Sequence, residues 1–223
     1  GLFKDPYKYM DVKRPKKEIY TEANRAVARK IASESFVLLK NAGNVLPLKK
    51  QGKIAVVGPL ANTRSNMPGT WSVAVNLDKP QTVIEAMQAV GGKDVKIVYA
   101  KGSNLTADAK LEENATMFGR TLNRDNRTKE ELLNEALEAS KDADVIVAAL
   151  GESSEFSGEA SSRSNIDIPD VQKELLAELL KTGKPVVLVL FTGRPLTLTW
   201  ENENVPAILN VWFGGSEAAP AIA

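Results

Sequence analysis

Short apolar runs rich in β-branched residues recur along the chain and limit its fold more than any other feature. Lys53-Ile54-Ala55-Val56-Val57-Gly58, Asp144 to Leu150 and Pro185 to Phe191 are too short for helices buried on every side. They have the look of strands covered on both faces, as a parallel sheet requires. Val95 to Tyr99 and Ala207 to Val211 read as two more strands. Between them lie segments of helical period: Thr21 to about Lys40, Thr82 to Val90, Thr128 to about Lys141, and Asp170 to about Lys181. Thr21 is a candidate N-cap, and Thr128 with Glu131 has capping-box spacing. Strand and helix alternate, which predicts the α/β class: a three-layer α/β/α sandwich around a mostly parallel sheet.

Residues 1–20 are rich in proline, lysine and tyrosine without a period, and read as a linker or arm. Residues 21–223 read as one domain, since 223 residues suit a single sizeable core. The chain opens without methionine and stops at Ala221-Ile222-Ala223, inside an apparent helix, so both ends are expected to be cuts within a longer protein. The polar stretch Lys101 to Arg127 is long for a connection, which predicts function or disorder there.

Composition removes several chemistries. There is no cysteine and no histidine. A Ser-His-Asp triad, a histidine base, thiolate chemistry and most zinc sites are therefore outside this chain's means. No metal or cofactor is expected, and acid–base work falls to carboxylates, lysine or tyrosine. The 29 lysines and arginines nearly cancel the 28 acidic residues, with no long run of one sign, so a nucleic-acid partner is not expected. No apolar run approaches the roughly 20 residues that span a bilayer, and no membrane insertion is expected. The opening residues also lack the apolar core of a signal peptide.

Ligands of open α/β sheets lie beyond the carboxyl ends of the strands. The loops that leave Gly58, Gly151 and Thr192 form that edge. The loop from Gly151 to Arg163 holds Glu152, Glu155 and Glu159 with Arg163, Phe156 and several hydroxyls. Without histidine, a loop glutamate is the most economical general acid. Phe156 is a candidate apolar face for a sugar ring, and Trp71 either flanks a sugar or packs a loop. A solvated polar loop with a structural Glu159–Arg163 pair explains the same composition.

Leu38-Leu39-Lys40-Asn41 followed by Val45-Leu46-Pro47-Leu48 resembles the opening of the second domain of glycoside hydrolase family 3. Ile54 to Pro59 is similar to that family's first strand, Gly69-Thr70-Trp71-Ser72 to its "GSWS" loop, and Tyr99 to Gly102 to its "Y-x-K-G". Gly151-Glu152 through Glu159-Ala160-Ser161-Ser162-Arg163, then Ile166 to Pro169, resembles the active-site loop of the family's periplasmic bacterial β-glucosidases. Thr192-Gly193-Arg194-Pro195 and Trp212-Phe213-Gly214-Gly215 continue the match, and Gly1 to Tyr7 resembles the exit from the preceding barrel. Each motif alone is weak; in order and at family-like spacing they are specific.

The resemblance implies the acid/base-supplying second domain of a retaining, exo-acting β-glucosidase. A barrel in the same chain supplies the aspartate nucleophile, for which no motif occurs here, so the fragment alone is expected to be inactive. Glu159 fits the "E-G-x-D-R" pattern, with Ala160 and Ser162 in place of its glycine and aspartate. Glu152 is the rival acid/base and Glu155 the third choice. Arg163 is expected either to orient a loop carboxylate or to close the loop on itself. Arg194 is read as part of a structural turn, with a partner across the domain boundary. Implied partners are a β-glucoside or oligosaccharide and the barrel; the implied location is periplasmic or secreted.

Two other readings remain. A non-catalytic carbohydrate-binding or scaffolding domain needs only that the loop glutamates be surface polarity. A nucleotide-binding domain is disfavoured because Gly58-Pro59-Leu60-Ala61-Asn62 is not a phosphate-cradling loop.

Overall fold

A computed structural model describes residues 3–73, 75–114 and 124–223 of the chain. Residues 1 and 2, which open the barrel-exit motif, and residues 115–123 of the polar stretch lie outside the described residues.

The strands are β1 (Val37–Asn41), β2 (Gly52–Val57), β3 (Val95–Ala100), β4 (Val145–Gly151), β5 (Val186–Phe191) and β6 (Ala207–Asn210). The helices are α1 (Arg14–Glu18), α2 (Glu22–Ser35), α3 (Val83–Gly91), α4 (Ala109–Asn114), α5 (Lys129–Ser140), α6 (Asp170–Lys181), α7 (Thr199–Asn204) and α8 (Ala218–Ile222). The strands form one sheet in the order β1-β6-β5-β4-β2-β3. All neighbours are parallel except β1, which runs antiparallel to β6 at the edge.

Alternation along the central strands divides the core into two layers. Val56, Val147, Ala149, Val187 and Val189 face one way and pack with α3 and α8 residues such as Val83, Ala86 and Ala218. Ala55, Val57, Ile146, Ala148, Leu188 and Leu190 face the other way, against Ala136 of α5 and Leu175, Leu176 and Leu179 of α6. Successive side chains of a strand point to opposite faces, so a run apolar at every position needs helices on both. The three-layer α/β/α architecture follows from that requirement.

The helix starts are capped as their sequences dictate. The Thr21 hydroxyl accepts from the Asn24 amide, and Thr82 with Glu85 and Thr128 with Glu131 form complete capping boxes. α2 is fastened by Glu217, whose buried carboxylate meets Arg25 at 2.6 Å and Arg29 at 2.7 Å.

Two readings of the sequence require correction. The first helix stops at Ser35, and Val37–Asn41 is strand rather than helix. Phe36 is already extended, and pairing with Ala207–Asn210, interrupted by a bulge between Leu38 and Lys40, overrides local helical spacing. Lys40 and Asn41 therefore do not end a helix. Lys40 hydrogen-bonds the Asn202 carbonyl, and the Asn41 amide closes the following turn on Leu46 N and O at 3.0 and 2.9 Å. Second, the short helices α1, α4 and α7 stand where no helix is expected, and α7 carries Trp200 onto the α5–α6 layer.

The chain passes from β2 outward to β3 and returns to β4 on the other side of β2. The direction of winding therefore reverses between β2 and β4, where a crevice opens beyond the carboxyl ends of the strands. The loops that leave Gly58 and Gly151 flank that crevice.

Candidate active site

β4 ends at Gly151, which has φ +122°; a Cβ there would lie 2.0 Å from the Phe191 carbonyl oxygen. Only glycine lets the ends of β4 and β5 come this close. Buried Gln172 of α6 fixes the same strand end, accepting from Gly151 N at 2.8 Å and donating to Gly151 O at 2.9 Å. The loop that follows therefore starts from a rigid point, held by a residue whose role had no sequence signal.

The three loop glutamates occupy three different environments. Glu152 is fully buried. Its carboxylate accepts from Arg163 Nη1 at 2.7 Å, from the Thr192 hydroxyl at 3.0 Å and from Arg194 Nε at 3.2–3.3 Å. Charge-assisted bonds of this kind compensate the loss of hydration that burial imposes. Glu155 is also buried and accepts from the Ser154 hydroxyl at 3.1 Å. Glu159 is exposed, and among the described residues none hydrogen-bonds its carboxyl.

Glu159 sits in a tight turn closed by Ser161 N on Gly158 O at 3.3 Å. Ala160, the third residue of that turn, has φ +59°. A type II turn requires positive φ at its third residue and favours glycine there. That is the physical content of the glycine in the family pattern, which Ala160 replaces.

Arg163 pairs with Glu152 rather than Glu159, and its second nitrogen donates to Asp167 O at 3.1 Å. Within this domain Arg194 turns inward: besides Glu152 it donates to the carbonyls of Phe156 and Ser161, the latter at 2.9 Å. Phe156 is buried within the core, with contact to a small hollow of about 420 Å³ lined also by Ala160 to Arg163. Trp71, next to Thr70, is 66% exposed. Trp212 is half-buried and donates its indole N–H to Ser35 O at 3.2 Å.

The loop after β2 approaches from the other side. Thr70 hydrogen-bonds the carbonyls of Ser154 and Ser157, and Asn66 Oδ1 accepts from Ser154 N at 2.7 Å. A larger cleft of about 1150 Å³ opens beside these residues, lined by Arg64, Tyr99, Lys101, Arg127 and Ser153 to Glu155 among others. Burial lowers the pKa of the Lys101 ammonium and pushes the Tyr99 phenol up to about 12. Among the described residues, no group of three or more His, Cys, Asp or Glu side chains is placed to hold a metal ion. Nor is any helix of those residues long and apolar enough to cross a membrane.

Residues 36–223 match the model of the glycosyl hydrolase family 3 C-terminal domain. The chain belongs to glycoside hydrolase family 3. It is 44% identical over its whole length to the periplasmic beta-glucosidase of Salmonella typhimurium and 34% identical to a beta-xylosidase of Formosa agariphila. It spans 30% and 29% of those two proteins. Among solved structures, the beta-glucosidase of Listeria innocua in complex with gluconolactone superposes with a TM-score of 0.82. That match is 34% identical and covers the whole of this chain and 27% of the other. The chain thus spans less than a third of the length of each of these proteins.

Proposed function

We propose that this chain is the domain that supplies the general acid/base of a retaining, exo-acting β-glucosidase, and that Glu159 is that residue. One observation carries the choice of residue. Of the three glutamates in the loop, only Glu159 presents its carboxyl to the outside. Glu152 is enclosed by two arginines and a threonine, and Glu155 is buried. A group that must hand a proton to a substrate oxygen has to come within about 3 Å of it.

In the proposed reaction, the Glu159 carboxylic acid protonates the leaving glycosidic oxygen. A carboxylate from the barrel, supplied by the part of the enzyme outside this chain, attacks the anomeric carbon. The Glu159 carboxylate then takes a proton from the water that displaces the barrel carboxylate. For retention the two carboxyl groups should stand about 5–5.5 Å apart. This chain alone, lacking the nucleophile, hydrolyses nothing. The glucoside preference and a periplasmic location are supported by the Salmonella relative's name, and terminal glucosyl binding by the Listeria enzyme's complexes with glucose and laminaribiose.

The test uses the full-length enzyme and a series of aryl β-glucosides graded by leaving-group pKa. Glu159→Gln should lower kcat/KM, which reports the glycosylation step, far more for the poor leaving groups than for the good ones, since only the former need protonation there. A Glu159→Gln enzyme whose losses in kcat/KM are flat across the series would contradict the assignment. The same series of aryl β-xylosides separates glucosidase from xylosidase, the activity in the Formosa relative's name.

A further inference from the structure

Arg194 is the first long side chain beyond the end of β5, and it lies beneath the turn that carries Glu159. Its Nη2 has two N–H bonds and uses both, on the carbonyl of Phe156 and on that of Ser161 at 2.9 Å. Those carbonyls lie on either side of Glu159 in sequence. A single nitrogen therefore closes the base of the bow whose tip is the proposed acid/base.

The guanidinium is itself fixed from below. Its Nε meets the carboxylate of Glu152 at 3.2–3.3 Å. Glu152 is anchored to the sheet, since its amide donates to Phe191 O at 2.8 Å and Arg163 holds its other side at 2.7 Å. The Thr192 hydroxyl accepts from Arg194 N at 3.1 Å and also lies 3.0 Å from the Glu152 carboxylate. A continuous set of contacts thus runs from the ends of β4 and β5, through Glu152 and Arg194, to the loop at Glu159.

We propose that Arg194 is a positioning residue for catalysis: locked by buried Glu152, it sets the location of Glu159 by holding the carbonyls that bracket it. The proposal rests on Glu159 being the acid/base. Arginine suits the task because a planar fork of five N–H donors can serve a carboxylate and two carbonyls at once. A lysine ammonium keeps the charge opposite Glu152 but is too compact to span all three acceptors.

A double-mutant cycle in the full-length enzyme tests this, with kcat and KM on an activated aryl β-glucoside and the thermal midpoint of each protein. The variants are Arg194→Lys, Arg194→Met, Glu159→Ala and the double variant Glu159→Ala with Arg194→Lys. Arg194→Lys should retain a thermal midpoint near that of the parent. Its kcat should fall on the order of 10- to 100-fold, the scale expected when a reacting group is misplaced by about 1 Å. In the Glu159→Ala background the same lysine substitution should cost less than about twofold, because the group it positions is gone. Arg194→Met shows how far loss of the charge adds a folding defect, read as a lower midpoint, to the kinetic one.

Wild-type kcat in Arg194→Lys would overturn the proposal. So would an equal loss from that substitution with and without Glu159, which would make Arg194 a general structural support. If Glu159→Ala were itself unimpaired, the acid/base assignment would fall first, and the positioning role with it.

Discussion

The hydroxyl of Thr70 lies 2.8 Å from the carbonyl oxygen of Ser157, so the loop after β2 is tied to the loop that carries Glu159. The same hydroxyl also meets the Ser154 carbonyl, and the site is buried. Thr70→Val keeps the shape and removes the donor, leaving buried carbonyls without it. A loss of about 1–3 kcal/mol is expected by chemical denaturation. Thr70→Ser should retain most of that bond. Equal stability of the valine and serine variants would show that the contact contributes nothing.

Glu152 and Glu159 should separate stability from activity. Removing buried Glu152 leaves Arg163 and Arg194 without their shared carboxylate. Breaking a buried ion pair from one side costs about 3–5 kcal/mol, and Glu152→Ala should lower the unfolding free energy on that scale. Glu159→Ala touches an exposed side chain and should change stability by no more than about 0.5 kcal/mol. The opposite ranking in a denaturant titration would contradict the roles assigned to them.

Ala160 tests the geometry of the turn. At φ +59° an L-residue carries strain on the order of 1 kcal/mol, which glycine would relieve at a comparable cost in chain entropy. Ala160→Gly should therefore leave stability almost unchanged. Ala160→Val puts a β-branched residue in that region and should cost about 1–2 kcal/mol. Unfolding midpoints that do not distinguish glycine from valine would mean that the turn is not held at positive φ.

Tyr99 gives a prediction at alkaline pH. Burial raises its phenol from 10.0 to about 12, with the nearby Glu135 charge adding to the effect. The folded chain thus holds this proton more tightly than the unfolded one. The corresponding stability is fully present below pH 10 and is lost as pH rises through about 12. The phenol is only partly shielded from water, so the loss should be about 1–2 kcal/mol. Denaturation midpoints of wild type and Tyr99→Phe, compared at pH 9 and pH 11.5, check this: the phenylalanine variant should lose less. Parallel losses in the two proteins would contradict it.

Much of the fold was legible because the central strands are buried on both faces. Ile54 to Val57, Ile146 to Leu150 and Val186 to Phe191 must therefore be apolar throughout, which marks them as strands of a covered parallel sheet. The capping threonines marked helix starts for an equally local reason. Val37–Asn41 was not legible as strand, since its pairing partner lies some 170 residues away and its spacing suits a helix.

The loop at Gly151–Arg163 could be found by its place after a strand and by its motif. The burial of Glu152, the exposure of Glu159 and the inward turn of Arg194 could not. They depend on which of several equivalent charges the end of β5 meets, and no periodicity encodes that.

The most direct measurement is azide rescue in the full-length enzyme. On an activated aryl β-glucoside, Glu159→Ala should lose most of its kcat, because deglycosylation lacks its base, and added azide should restore the rate. The product should then be the β-glucosyl azide, formed by attack on the glycosyl-enzyme from the face that water would use. A near-normal rate without azide, or a loss that azide does not repair and that yields no glucosyl azide, would contradict Glu159 as the acid/base.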